Sequence, residues 1–544
     1  MDLRPAVVAR PIDTARPGWA LLGIASVTLG VATAHLVAAV TDPSRSPLVA
    51  VGSLVIDLAP TPVKEAAVAW FGTADKPLLL GGLALVILVL AVVCGVLARR
   101  RPVLGAALAA VLGLVAAGAA LTRPGAGAVD ALPGLVGALV AGGSLVVVAR
   151  RLQPKPTAPI ATTESSAPDT APAEGVSGAA TGRPDAPRLR RRTVLAASLG
   201  VLASAVVVGG LGELIGRRRS DVEGLRAGVR LPSPVDPARP LPADVEVGVP
   251  GITPFRVANA DFYRVDTALT VPAIDPSNWQ LVVGGLVRSP FTLSYSELLA
   301  MPMIERDLTL TCVSNEVGGP YAGNAVWLGV PLRDLLARAG VDPAAEQLLS
   351  RSADGWSAST PIAAVADGRD AIVAVAMNGE PLPAEHGFPA RMVVPGLYGF
   401  VSATKWLVSI EATTYAAEQA YWTRRGWATD APVRTMARIE VPRPLATVAA
   451  GRVAVGGVCW AQHRGIDGVE VQVDDGPWRT AKLGGVPSDD TWRQWSFVWA
   501  DATPGRHTIR ARATDATGAT QPEDRRTPFP SGATGWHDTV VTVS

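Results

Sequence analysis

Cysteine is scarce in this chain. Three are present among 544 residues, Cys94, Cys312 and Cys459, and the first falls inside a long apolar run. That supply argues against a disulfide framework. Histidine is nearly as rare, at five. Only His35 lies in the long apolar runs, so a pair of imidazoles that could hold a haem there is missing. Neither sign of charge is in excess: 49 Lys and Arg stand against 47 Asp and Glu, a net charge of +2. The totals therefore carry no basic footprint for nucleic acid. Apolar residues are what the chain has in quantity. They make up 49% of it, and the mean hydropathy of +0.29 is too high for a wholly soluble chain.

Most of that excess precedes residue 216. Gly18–Val40, Leu78–Ala98, Val103–Thr122, Ala131–Ala149 and Thr193–Ile215 each approach or exceed the length that crosses a bilayer as a helix. Four of the five contain no Asp, Glu, Lys or Arg, and the fifth has only Glu213, near its end. Spans so poor in charge argue against an ion-coupled transport path. Pro47–Phe71 is also apolar, but Asp57, Pro60, Pro62, Lys64 and Glu65 interrupt it, which predicts an interfacial or extracytoplasmic segment. Arg99, Arg100 and Arg101, then Arg150 and Arg151, then Arg190, Arg191 and Arg192 fall on one side of five spans, and the positive side should be cytoplasmic. Arg217, Arg218 and Arg219 argue the other way but are outnumbered. The chain after 216 is thus expected outside the cell membrane. The expected divisions are a four-helix transmembrane region at 1–151, a disordered linker rich in Pro, Ala, Thr and Ser at 152–189, a fifth helix at 190–216 and a proline-rich linker at 217–254. Arg191-Arg192-Thr193-Val194-Leu195 reads equally as a twin-arginine export signal or as plain positive charge at a helix end.

The stretch Asp307–Leu336 holds the most suggestive chemistry. Leu308-Thr309-Leu310-Thr311 alternates like a half-buried strand and delivers Cys312 to a loop containing Gly318, Gly319, Pro320 and Gly323. Val330, Leu332, Leu335 and Leu336 then share a helix face. A lone thiol above a glycine-rich loop suits a nucleophile or a metal ligand, although a buried core cysteine would look the same. A second stretch, MNGEPLPAEHGFPARMVVPGLYGFVSATKWLVSI at 377–410, adds a long ordered pattern. With Cys312 and Asn315 it resembles the molybdopterin-binding domain of the sulfite oxidase family, from about Phe255 to the C-terminus.

The resemblance implies an α+β sulfite-oxidase-like molybdopterin-binding domain at 255–441. It also implies a C-terminal all-β immunoglobulin-like dimerisation sandwich at 442–544, behind the N-terminal all-α transmembrane region of about five helices. The sandwich agrees with alternation at Val469–Val473 and Thr508–Ala513, and with turns at Asp475-Gly476, Pro504-Gly505 and Thr517-Gly518. The implied cofactor is molybdenum–molybdopterin, with Cys312 as the protein's sulfur ligand to the metal and a catalytic residue. Tyr263, Arg264, Asn315, His386, Arg391, Thr404 and Lys405 fall at implied cofactor-binding positions. Arg264 is also implied in catalysis. Trp406 is expected to pack, and so is Cys459. Where sulfite oxidases place paired arginines after the cysteine, this chain has Glu316 and Val317. A carboxylate there repels a dianion, with Arg264, Arg424 or Arg425 as possible compensation. The expected function is a membrane-anchored, extracytoplasmic enzyme performing two-electron oxygen-atom transfer on a small substrate, either sulfite-like oxidation or sulfoxide-type reduction. Its electron partner would be a quinone or a redox protein, and it could form a homodimer. The alternative is a non-catalytic membrane receptor or scaffold that retains the fold.

Overall fold

Long charge-free runs of Ala, Leu, Val and Gly bury their backbone polar groups most cheaply as helices. The computed structural model, which describes residues 16–60, 63, 67, 70–71, 74–123, 126–152, 186–219 and 221–544, has helices at those runs. The disordered linker expected at 152–189 lies outside the described residues except at its two ends. The chain separates into two units, Met1–Ser220 and Asp221–Ser544.

The first unit contains α1 (Arg16–Thr41), α2 (Pro47–Leu58), α3 (Asp75–Ala98), α4 (Pro102–Leu121), α5 (Leu132–Leu152) and α6 (Ala186–Arg219). Among its described residues, five stretches are long and apolar enough to cross a membrane: Pro17–Thr41, Lys76–Ala98, Pro102–Leu121, Ala128–Leu152 and Arg192–Gly216. Large apolar side chains such as Leu139, Val206 and Val207 point outward, as a lipid-facing surface would have them. Small residues bring the helices together. A Cβ at Gly95 would sit 2.0 Å from the Trp19 carbonyl oxygen, so α1 and α3 touch backbone to backbone. The helix expected to begin at 190 begins at Ala186. The apolar piece after residue 47 forms α2, whose Asp57 pairs with Arg123.

The second unit opens with residues 221–254, expected as a linker. They form instead an ordered strap. Val222 and Val245 are buried in the core that follows, and the Arg226 guanidinium donates to the Leu382 and Pro381 carbonyls at 2.7 and 2.8 Å. Proline had suggested a spacer, but a segment with few N–H groups can also lie flat against a sheet. Ten strands follow: β1 (Gln280–Gly285), β2 (Phe291–Ser294), β3 (Ile304–Thr311), β4 (Ala322–Pro331), β5 (Gln347–Ser352), β6 (Ser357–Pro361), β7 (Ile372–Met377), β8 (Glu380–Pro381), β9 (Arg391–Val393) and β10 (Leu407–Thr413). One sheet runs β3-β4-β7-β8, with β9 also paired to β7, and the other runs β2-β1-β10-β5-β6. Every residue of β7 is buried, which explains its unbroken apolar run. Val330, expected on a helix, ends up in β4, and the helix proper is Leu332–Ala339.

The remaining strands are β11 (Met436–Val441), β12 (Thr447–Val448), β13 (Gly451–Trp460), β14 (Ile466–Val473), β15 (Arg479–Thr480), β16 (Lys482–Leu483), β17 (Arg493–Ala502), β18 (Gly505–Asp515) and β19 (His537–Val543). They make two sheets, β11-β13-β17-β16 and β12-β19-β18-β14-β15, around one core that includes Val455, Val469, Trp495, Ile509 and Val541. This all-β region starts at Met436, earlier than the expected 442. Its polar residues also reach back to the cysteine strand. The Gln462 amide donates to Thr311 Oγ1 at 2.8 Å, and the Trp492 N–H donates to Thr309 Oγ1 at 2.8 Å.

Candidate active site

Cys312 directly follows β3, so the sheet fixes its backbone while the loop frees its side chain. Its N–H donates to the Tyr321 carbonyl at 2.9 Å, closing the neck of the loop. Asn315 is buried and braces the inside. Its N–H donates to the Cys312 carbonyl at 3.1 Å, and its Oδ1 accepts the Tyr321 N–H at 2.8 Å. The Cys312 sulfur is 2.9 Å from Ser314 Oγ. Burial raises the thiol's pKa, while hydrogen bonds from Ser314 and the positive charge of Lys405 pull it down. Glu316 is exposed, and Val317 turns into the core at 7% exposure.

Three expected residues, Tyr263, Arg391 and His386, gather behind this loop around Phe262. Phe262 stands edge-on to Trp327 and His386, at 5.9 and 5.5 Å between ring centres, and Tyr263 stacks on it at 5.2 Å. Burial drives the Tyr263 phenol well above its ordinary pKa. The Cys312 thiolate adds to the rise and Arg391 opposes it, so these three groups share one field. Arg391 leaves β9 inward. Its guanidinium donates to the His386 and Ala403 carbonyls at 3.0 and 3.4 Å and lies 5.0 Å from the Trp327 ring. Its Nε has no partner, and among the described residues no carboxylate pairs with it. Burial lowers its pKa to about 10. His386 is buried with Nε2 at 3.1 Å from the Asn259 carbonyl, and burial together with Arg391 lowers its pKa to about 4.

Lys405 is held differently. Its Nζ donates to Asp266 Oδ2 at 2.7 Å and to the Glu385 carbonyl at 2.9 Å. Burial lowers its pKa to about 8 in spite of Asp266. Arg264 shares the same carboxylate, its Nε 2.8 Å from Asp266 Oδ2, with its own side chain 41% exposed. The Thr404 hydroxyl is 2.7 Å from Ser350 Oγ in β5. Trp406 packs as expected, fully buried, with its indole donating to the Ala384 carbonyl at 2.8 Å. Arg424 and Arg425 are held locally, on the Gln419 and Tyr421 carbonyls at 3.0 and 2.7 Å. The sequence reading missed Asp266, Ser314, Tyr398 and Asp354. Asp266 had a signal: it follows Arg264 by two residues in the run Phe262-Tyr263-Arg264-Val265-Asp266. Tyr398 couples to the Cys312 charge, and Asp354 to those of Asp266 and Lys405.

Comparison with known proteins bears on this cluster. Residues 268–422 match the oxidoreductase molybdopterin binding domain. The chain is 37% identical over 153 residues to the "uncharacterized oxidoreductase YuiH" of Bacillus subtilis, covering 74% of that protein and 28% of this chain. It is also 32% identical over 285 residues to human mitochondrial sulfite oxidase, covering 42% of this chain and 50% of that one. The chain belongs to the sulfite oxidase family of molybdopterin-dependent oxidoreductases. It spans about half the length of the mammalian sulfite oxidases that it matches. A solved structure, the sulfane dehydrogenase SoxCD of Paracoccus pantotrophus, aligns with a TM-score of 0.42 at 26% identity, covering 47% of this chain and 72% of that one. Membership in the sulfite oxidase family implies a molybdenum–molybdopterin cofactor. The residues fit such a group. A buried guanidinium with an unpartnered Nε calls for an anion such as a phosphate. Among the described residues no three His, Cys, Asp or Glu side chains converge as a metal cage.

Proposed function

We propose that this chain is a membrane-anchored, extracytoplasmic molybdenum oxidoreductase that moves an oxygen atom to or from a small substrate. The observation that carries the reading is the pairing of a strand-end thiol with a buried arginine that has no carboxylate. Cys312 is the thiolate ligand and Arg391 grips the cofactor phosphate. When bound, the molybdenum–molybdopterin supplies the two-electron couple and the oxygen-atom transfer. The protein binds, orients and excludes water. Lys405 spends two of its three N–H donors on Asp266 and Glu385 and keeps one for the cofactor. His386, neutral at physiological pH, and Tyr263 offer hydrogen bonds without adding charge. Arg264, half in solvent on Asp266, stands at the entrance as the cation a substrate meets first. Asn315 and Thr404 keep the loop and strand behind the cofactor in shape.

The substrate side favours a reactant of low negative charge. Val317 is buried and Glu316 is exposed, so the loop itself contributes no cation. A neutral sulfoxide-type compound suits that loop better than sulfite. Five apolar helices support a membrane anchor, and the arginine clusters at 99–101, 150–151 and 190–192 support an outward catalytic unit. Electrons then pass to or from a separate quinone or redox protein. The all-β region supports an immunoglobulin-like pairing domain and a homodimer.

Metal analysis of the purified full-length protein is the direct test. Molybdenum near one per chain is expected, and its absence from active protein would remove the proposal. Protease added to intact spheroplasts should remove the unit after residue 220. Protection until lysis would invert the topology.

A further inference from the structure

The loop that carries Cys312 is gripped from a distance in sequence. Gly318 has φ +81° and faces His537 of β19, and a Cβ at Gly318 would lie 2.2 Å from His537 Nε2. Both the backbone conformation and the space at 318 therefore admit only glycine. His537 is itself pinned: its Nδ1 accepts the Ile439 N–H of β11 at 2.8 Å. An Nδ1 that accepts leaves the proton of the neutral ring on Nε2, the edge turned to the loop. The adjacent residue takes the other end of the grip. The Arg438 guanidinium donates to the Gly319 carbonyl at 2.9 Å, and its Nε and Nη2 both donate to Glu440 Oε1. Glu440 in turn accepts from the Thr253 N–H and hydroxyl at 2.7 and 2.6 Å. Two consecutive loop glycines are thus fixed by two consecutive positions of β11, one through a side chain and one through an N–H that orients His537.

The near end of the loop has its own restraints, the Cys312–Tyr321 and Asn315–Tyr321 hydrogen bonds. Without the far grip, Gly318-Gly319, two residues with no side chains, would rest on the turn bond from the Gly319 N–H to the Glu316 carbonyl at 2.9 Å. With it, the thiol is held at both ends of its loop.

We propose that His537 and Arg438 are positioning residues for the metal-ligand loop, so that the all-β region sets the placement of the Cys312 sulfur. The proposal rests on Cys312 being the metal ligand. It gives the C-terminal region a role in the catalytic centre besides any role in pairing two chains. The consequence is directional. Loosening the grip leaves the cofactor contacts of Arg391, His386 and Lys405 in place and changes the sulfur's position on the metal. Altered sulfur geometry shifts the metal's electronic state and slows turnover without weakening substrate binding.

The test uses full-length, molybdenum-loaded protein and the variants His537→Ala, His537→Asn, Arg438→Lys and Cys312→Ser. Molybdenum content, the Mo(V) electron paramagnetic resonance spectrum after dithionite titration, and dye-linked turnover of dimethyl sulfoxide are measured on each. His537→Ala and Arg438→Lys should keep molybdenum and shift the Mo(V) g values. Their kcat should fall by about tenfold to a hundredfold at nearly unchanged KM. His537→Asn, which keeps an acceptor for the Ile439 N–H, should recover part of both. Native g values and native kcat in a loaded His537→Ala or Arg438→Lys protein overturn the proposal. So does a loss of activity that only follows a loss of molybdenum. If His537→Ala does not fold, Arg438→Lys, which keeps the positive charge, decides alone. If Cys312→Ser itself retains the native spectrum, the ligand reading fails instead, and the two failures are told apart.

Discussion

The second unit holds two cysteines, one inside a strand and one just past a strand's end, and they have opposite surroundings. Cys459 sits inside β13, fully buried, its thiol facing the Arg493 carbonyl at 3.3 Å, and burial pushes its pKa up to about 12. Cys312 sits one residue past the end of β3, partly open, beside the Ser314 hydroxyl and within the field of Lys405. A strand interior offers a thiol little but packing and backbone. A strand end offers it a loop, a cation and access. On the proposed reading, position relative to the strand separates a sulfur that packs from one that binds a metal.

If surroundings make the difference, exchanging sulfur for oxygen should have unequal results at the two places. Cys312→Ser is expected to abolish turnover while largely sparing molybdenum content, because a serine oxygen is a harder, less polarisable donor. Cys459→Ser should leave turnover unchanged and lower stability by about 1 kcal/mol, read from a denaturant melt. Equal activity of the two variants would erase the contrast.

The contrast can be sharpened at Arg391, the uncompensated cation behind Cys312. Arg391→Ala should lose cofactor together with activity, since a charge-assisted phosphate contact contributes about 1.5–3 kcal/mol. Full cofactor retention would mean that the phosphate lies elsewhere. The front of the same loop predicts substrate preference. Sulfite kcat/KM should fall below roughly 10⁶ M⁻¹s⁻¹ and below that of the best sulfoxide in a panel assayed with a reduced dye. A sulfite value at or above that level would show that Glu316 and Val317 do not govern the charge of the reactant.

The smallest expected effect concerns pH. His386 and His537 have pKa values lowered to about 4 against an ordinary 6.5, mainly by burial. The unfolded chain therefore binds protons between those values that the folded chain does not. Stability should be full above pH 6.5 and decline as pH falls toward 4. His386→Gln should flatten part of that slope in a series of thermal melts, and an unchanged slope would remove His386 from the account.

How much of this the sequence disclosed depended on whether the cause was local. Alternation in residues 308–311 announced β3 and placed Cys312 at its end, because side-chain period is a property of the strand itself. The five apolar runs announced their helices for the same reason. The strap at 221–254 was not legible as structure. Its prolines suggest a spacer, and what orders it is a set of partners at Leu382, Met303 and Gln494, far along the chain. The start of the all-β region at Met436 was hidden because its strand pairs with β13, beyond a proline that looked like a boundary. His537 and Arg438 gave no signal at all, since nothing near them in sequence mentions the loop they hold. Thr404 shows the converse: a motif position with a hydroxyl that the fold turns toward Ser350.

The strap has one more consequence, for how the chain can be cut. β3 is the outer strand of its sheet, and an outer strand presents unpaired N–H and C=O groups that invite another chain to pair. Here that margin is covered by neighbours. The Val235 N–H donates to the Met303 carbonyl at 2.9 Å, the Glu305 N–H donates to the Asp236 carbonyl at 2.9 Å, and the Thr309 N–H donates to the Asp490 carbonyl at 3.0 Å. A soluble fragment begun at residue 221 keeps the cover. One begun at 255, where the recognisable motifs start, strips part of it from the strand that delivers the cysteine. It should aggregate where the longer fragment stays dispersed.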